Sequence, residues 1–280
     1  MVERSLDRRE IARIVVDDRD HRSPRHGIWE NGQNTSCAGT LRRPPWPDRW
    51  YFGAFAPVAR ERDGMKSYRC YLFDADGTLL DTSELIYRCF VHTVKRYANR
   101  DIGRREVQSH IGLTLRAQLE LYLGPLDDRR YEEVRAAHMG YQLSIYQQYL
   151  RAFPGVAEAL ACLRDKGCTL GVVTSRMPDT LTLYLQTTGL ASYFDLLITP
   201  VDTTRHKPYP DPILAALDRL RVEPHDAVYI GDASFDIESG AAAGVDTIFV
   251  GWSHNDPGSL VVSPTAIIEN PLDLCPKEAA

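Results

Sequence analysis

No apolar run in this 280-residue chain reaches the 18 or more residues that a membrane-crossing helix requires, and its start carries no secretory h-region. A spanning helix is thereby excluded. Cysteines are few and scattered, at 37, 70, 89, 162, 168 and 275, with no close metal-type pairing. Several lie in apolar stretches, so the expectation is reduced thiols in a cytoplasm rather than a disulfide framework. Lysine is missing altogether from residues 1–64, which hold twelve Arg. Ten acidic residues offset them, which opposes both a nucleic-acid arm and a transit peptide. The formal net charge of −5 also argues against a general nucleic-acid binder. Met65 reads as the natural start, with residues 1–64 as a mis-called extension or a disordered appendage.

What the chain does have is four segments carrying groups suited to phosphate and a cation, three of them at the end of an apolar run. In the first, Cys70-Tyr71-Leu72-Phe73 runs into Asp74-Ala75-Asp76-Gly77-Thr78. A short apolar run closed by a Gly-containing turn reads as a buried strand, and in an open parallel sheet the strand's C-terminal tip is where ligands bind. Carboxylates two residues apart point the same way while the chain stays extended. Gly77 permits a sharp turn, and Thr78 is expected to tie it through its hydroxyl. Alone, this pentapeptide is also compatible with an ordinary acidic turn.

The second segment, Leu170-Gly171-Val172-Val173-Thr174-Ser175-Arg176, ends in hydroxyls that can donate to a phosphoryl oxygen or merely start a helix. In the third, His206-Lys207-Pro208-Tyr209-Pro210-Asp211-Pro212, three prolines stiffen the loop around Lys207. That lysine is either a solvated charge or one held against an anion. The fourth, Ala227-Val228-Tyr229-Ile230-Gly231-Asp232-Ala233-Ser234-Phe235-Asp236, brings Asp232 and Asp236 to one side of a helix's first turn. A helix N-terminus that favours negative charge would explain each aspartate separately, but not their company.

Taken in order, FDADGTLLDT, VVTSR, HKPYPDP and IGDASFDIESGAAAG resemble the motifs of the haloacid dehalogenase-like hydrolase superfamily. The resemblance is to its phosphoglycolate phosphatase and pyrophosphatase-like branch, and covers roughly residues 65–273. It implies an α/β fold, a Rossmann-like parallel-sheet core with an inserted all-helical cap. It implies Asp74 as the nucleophile that forms an aspartyl-phosphate, Asp76 as general acid and base, and Thr174, Ser175 and Lys207 as ligands of the transferring oxygens. It further implies Mg²⁺ held by Asp74, Asp232 and the backbone carbonyl of Asp76, with Asp236 acting just outside, through water or by orienting Lys207. The chemistry independently requires such residue types, because Mg²⁺ prefers oxygen ligands and an anionic nucleophile needs its target's charge neutralised. An acid at position 76 favours cleavage of an oxygen ester or anhydride, whose leaving group needs a proton.

Residues 83–150 interrupt the alternation with helices alone. Ile86, Phe90, Val94 and Tyr97 recur at helical spacing, as do Val134, Ala137, Tyr141 and Ile145. The insertion matches the branch's cap, which would exclude water. Its segment 110–116 resembles the specificity loop, where Arg116 either pairs with an acidic substrate tail or stays solvated. His92 and His138 read as helix-face residues. From Phe153 onward strands and helices alternate regularly, with helices expected at 156–166, 179–187, 212–220 and 235–243 and strands at 169–173, 196–199, 227–230, 247–250 and 266–268, which makes a parallel sheet. The implied protein is a cytoplasmic Mg²⁺-dependent phosphatase of a small phosphorylated metabolite, a monomer or homodimer without nucleic-acid or membrane partners. The favoured substrate is 2-phosphoglycolate. Pyrophosphate, a nucleotide or a sugar phosphate are alternatives, with a mutase or a non-catalytic phosphate-binding protein less favoured.

Overall fold

The central strands are apolar on both faces, and this requires cover on both sides. In the computed structural model, which describes residues 66–275, they form a six-stranded parallel sheet in the order β5-β4-β1-β6-β7-β8. The strands are β1 (Cys70–Phe73), β4 (Thr169–Val173), β5 (Leu196–Ile198), β6 (Ala227–Gly231), β7 (Asp246–Val250) and β8 (Ala266–Ile268). Every residue of β1 and β6 is buried. Side-chain alternation divides β1 between two apolar clusters, Tyr71 and Phe73 in one and Cys70 and Leu72 in the other. All-parallel sheets are stable when helices cover both faces in this way. The residues from 1 to 65, including the expected extension, lie outside the described part of the chain.

Register decides where the motifs meet. Phe73 pairs with Val172 of β4 and with Ile230 of β6. One residue further on, Asp74 is therefore level with Val173 and Gly231, and Thr174 and Asp232 come just above. β1 lies between β4 and β6, and the chain builds outward in opposite directions from that pair. The crevice above such a switch point is the usual ligand site of open α/β sheets.

The insertion begins at a short antiparallel pair, β2 (Leu80–Asp81) against β3 (Arg151–Ala152). Between them run α1 (Ser83–Ala98), α2 (Arg104–Gln108), α3 (Leu115–Leu123) and α4 (Asp128–Tyr149). Local chemistry sets several of their ends. Asn99 adopts a left-handed cap after α1, Thr114 accepts from the Ala117 amide, and Asp127 accepts from the Arg130 amide. These helices share their own apolar cluster, which includes Ile86, Phe90, Val94, Leu119 and Val134. The stripe expected on α4 is displaced: the buried residues are Val134, His138, Gln142 and Tyr146. Ala137, Tyr141 and Ile145 are only partly buried, because the helix turns a partly polar face inward that an apolar count overlooks. Helices α5 (Val156–Asp165), α6 (Pro178–Thr187), α7 (Asp211–Leu220) and α8 (Ser234–Ala243) then flank the sheet within a residue of the expected bounds.

Cysteine usage corrects the reduced-thiol expectation. Cys162 of α5 and Cys275 are disulfide-bonded across 113 residues, with Cα atoms 6.1 Å apart. Spacing along a sequence cannot reveal a pair that only tertiary packing brings together. Cys70, Cys89 and Cys168 are free and buried, and Cys37 lies outside the described residues. Among the described residues no helix is long and apolar enough to cross a membrane.

Candidate active site

Asp74 follows β1 directly, and its amide donates to the Ile230 carbonyl at 2.8 Å, which ties the strand tip to β6. The turn beyond it is closed by backbone bonds, Leu79 N and Leu80 N both donating to the Ala75 carbonyl. The Thr78 hydroxyl does not close it as expected. That oxygen is buried without a hydrogen-bond partner, while the Thr78 carbonyl accepts from the Trp252 indole at 3.1 Å. Gly77 has φ of 84°, and a Cβ there would run into the Asp232 carboxylate. Glycine is therefore required twice, for conformation and for room.

Lys207 joins the motifs. Its ammonium donates to Asp74 Oδ1 at 2.7 Å, to Asp236 Oδ1 at 2.6 Å and to the Tyr229 hydroxyl at 3.1 Å, which uses all three of its donors. Tyr229 in turn donates to the Val173 carbonyl at 2.8 Å. Asp236 Oδ2 accepts from the Ala233 amide at 3.0 Å, so the first turn of α8 orients the carboxylate that orients the lysine. The lysine is thus held rather than solvated, with a side chain only 1% exposed.

Asp74, Asp232 and Asp236 each bring a carboxylate oxygen within 4.8 Å of the others, all buried. One ammonium among three buried carboxylates leaves an excess of negative charge. Burial, then the Asp236 and Asp74 charges, push Asp232 well above the ordinary carboxylate range. Asp74 is pushed up to about 7, chiefly by burial, which the Lys207 charge only partly counters. Burial works against the Lys207 charge too, but Asp236 and Asp74 outweigh it and hold the ammonium well above its usual range. A donor set of hard oxygens with surplus negative charge fits Mg²⁺. Asn255, which no motif announced, donates to both the Asp232 carbonyl at 3.0 Å and its Oδ2 at 2.8 Å. Asn255 and Asp232 line one crevice with Gly77, Ser83 and Ile111, where the helical insertion meets the strand tips.

Thr174 follows β4, and its Oγ1 accepts from the Arg176 amide at 3.2 Å. Ser175 reaches across to the insertion, donating to the Gly112 carbonyl at 2.6 Å, so the loop that contains 110–116 is anchored beside the site. Asp76 is not one of the three clustered carboxylates and has partners of its own. Its Oδ1 accepts from Thr82 Oγ1 at 2.5 Å and from Arg176 Nη2 at 2.6 Å, and its Oδ2 from Arg176 Nε at 2.9 Å. Arg176 was part of a quoted motif yet received no role from the sequence, because a charged residue after a strand tip ordinarily reads as solvated. Tyr229 likewise reads as core in a strand, and only its hydroxyl's contacts reveal its part.

Arg116 is not brought to the cluster. Its Nε donates to Glu120 at 3.1 Å, its Nη1 to Asp128 at 3.0 Å and its Nη2 to the Leu126 carbonyl at 3.0 Å, over the Tyr131 ring at 4.8 Å. These contacts fasten α3 to the start of α4. His92 stacks on Tyr141 with centroids 3.9 Å apart, and His138 is buried against Thr93 and Phe90. Neither histidine contacts the carboxylates.

A family model described as haloacid dehalogenase-like hydrolase matches residues 71–250, and the chain belongs to that family. Its activity class is accordingly that of a hydrolase acting on phosphate compounds. Among curated proteins it is similar to pyrophosphatase PpaX of Bacillus pumilus, 37% identical over 183 residues, 65% of this chain and 82% of that one. Among solved structures it resembles a haloacid dehalogenase-like hydrolase of Bacteroides fragilis, with a TM-score of 0.67 and 30% identity over 73% of this chain and 98% of that one. A protein assigned as a phosphoglycolate phosphatase from Lactobacillus plantarum shares the fold, with a TM-score of 0.66 at 24% identity, covering 75% and 98%.

Proposed function

We propose that this protein is a Mg²⁺-dependent phosphatase that works through an aspartyl-phosphate on Asp74, with inorganic pyrophosphate as its first candidate substrate and 2-phosphoglycolate as its second. The observation that carries the reading is Lys207, which binds Asp74 and Asp236 together at the strand tips beside Asp232. Pyrophosphate moves ahead of phosphoglycolate for two reasons. Arg116, the group that would have gripped a carboxylate tail, is engaged within the helical insertion. The Bacillus pumilus relative is also named a pyrophosphatase.

The residues divide the work by position. Asp74 attacks phosphorus in line and forms the acyl phosphate, which splits one hard step into two. Asp232, with Asp74 and the Asp76 carbonyl, would hold Mg²⁺, which supplies charge neutralisation for the phosphoryl oxygens. Lys207 keeps the Asp74 carboxylate aimed and offers positive charge to the oxygens that gain it, while Thr174 and Ser175 add hydroxyl donors. Asp76 gives a proton to the leaving oxygen and later takes one from the hydrolytic water. Asp236 acts through Lys207. The helices of 83–150 serve as a cap that keeps bulk water from the acyl phosphate.

Phosphate release should be measured with pyrophosphate, 2-phosphoglycolate and a nucleoside monophosphate, each with Mg²⁺ and with chelator. Hydroxylamine trapping during turnover should leave a hydroxamate at residue 74, located by mass spectrometry. Turnover that persists in chelator, or a modification at another carboxylate, would sink the proposal.

A further inference from the structure

The grip on Asp76 exceeds what packing requires. Both of its oxygens accept from one guanidinium, in the side-on fork that only arginine can present. That guanidinium is buried, 7% exposed against 13% for the aspartate, and rests over the Tyr184 ring at 4.6 Å. Burial opposes its charge, but the Asp76 carboxylate outweighs that and raises Arg176 above its already high range. Desolvating two ions costs so much that a buried pair of this kind is a poor way to stabilise a fold. Placement suggests another use. Arg176 is two residues past Thr174 and bonds its hydroxyl through the backbone, so the side chain that holds Asp76 starts from the phosphate-facing loop itself. The pair spans β1's turn and β4's turn, 100 residues apart in sequence.

We propose that Arg176 is a positioning residue for Asp76, gripping both carboxylate oxygens and so setting the place from which that group reaches the leaving oxygen and the attacking water. The proposal rests on the acid–base role given to Asp76 above. Arg176 touches neither the nucleophile nor the three-carboxylate cluster, so it acts only through its partner. Two features of the fork matter. It fixes direction as well as distance, and it holds the carboxylate at the border of the helical insertion, where Thr82, the residue before α1, supplies the third bond. A lysine would keep the charge but reach one point only.

The test separates positioning from structure by leaving group. Arg176→Met, Arg176→Lys, Asp76→Asn and the double variant Arg176→Met/Asp76→Asn are assayed in full-length protein with p-nitrophenyl phosphate, phenyl phosphate and 2-phosphoglycolate. The better the leaving group, the less it needs a proton from Asp76. For Arg176→Met, kcat should fall at least about tenfold further on phenyl phosphate and phosphoglycolate than on p-nitrophenyl phosphate, with KM changing much less. Arg176→Lys should recover only part of the loss. In the Asp76→Asn background, adding Arg176→Met should cause no further loss, because the two act as one unit. Equal loss on all three substrates, or losses that multiply in the double variant, would overturn the proposal and leave Arg176 a structural ion. A thermal melt of each variant checks folding, and should Arg176→Met not fold, Arg176→Lys carries the same comparison. If Asp76→Asn itself shows no dependence on leaving group, the acid–base reading of Asp76 fails first and takes the proposal with it.

Discussion

Lys207→Met tests the core of the site most directly. Methionine keeps the length of the side chain and removes the charge, so packing changes little while three buried carboxylates lose their ammonium. The lysine and Asp236 side chains are each 1% exposed and Asp74 is 4% exposed, so solvent cannot take over the lost role. Removing one partner of such a buried pair costs about 3–5 kcal/mol, since the remaining charge is left uncompensated. With a urea dependence of roughly 2 kcal/mol per molar, the midpoint should fall by about 1.5–2.5 M. The sharper check is the double variant Lys207→Met/Asp236→Asn. Removing both partners costs less than removing one, and the Asn carbonyl still suits the Ala233 amide, so the double variant should be more stable than Lys207→Met alone. Turnover should fall by more than about 10²-fold in both, as a preorganised positive charge is lost. Urea unfolding of metal-free protein, followed by circular dichroism, reads the stability. A Lys207→Met midpoint within about 0.5 M of wild type, or a double variant no better than the single, would refute the reasoning.

Asp74→Asn should abolish phosphate release while the fold survives, because an amide of nearly the same size is a far poorer nucleophile; residual turnover above a tenth of wild type would mean another nucleophile. Arg116→Ala should lower stability by about 0.5–1 kcal/mol through its half-exposed contacts with Glu120 and Asp128, and leave the KM for 2-phosphoglycolate unchanged; a KM rise confined to that substrate would restore the substrate-anchor reading. His138 supplies a pH dependence. Burial, then the Arg176 and His92 charges, hold it down to about 3 from 6.5. The unfolded chain therefore binds the proton first, and stability is complete above about 6.5 and falls as pH drops toward 3, by about 2 kcal/mol at about pH 5. His138→Gln should flatten that slope in urea titrations run between about pH 7 and 5, and an unchanged slope would place the titration elsewhere.

Much of this is legible in the sequence. Strand and helix positions from 156 to 268 followed from short apolar runs alternating with helical spacing, a pattern local enough to survive tertiary context. Asp74, Thr174 and Asp232 could be named because each closely follows an apolar run, and strand tips in a parallel sheet are brought to one edge, whereas Lys207 and Asp236 were singled out by the resemblance of their motifs. Polar contacts within the interior were harder to see. An apolar count on α4 chose the face beside the buried one, since His138 and Gln142 carry the buried stripe. Thr78 was given a bond that the turn's backbone makes instead.

Residue type and local period thus determined the sheet, its strand tips and the polar groups that end them. The partner of each charged group was decided by the tertiary structure alone. Arg176 could reach Asp76 or solvent, and Cys162 a cell's reductants or Cys275, with nothing nearby in sequence to choose between them. The reason is physical. Apolar burial depends on each residue's own surface and repeats with the local backbone, whereas an ion pair or a disulfide depends on two side chains arriving within a few ångströms across stretches of 100 and 113 residues.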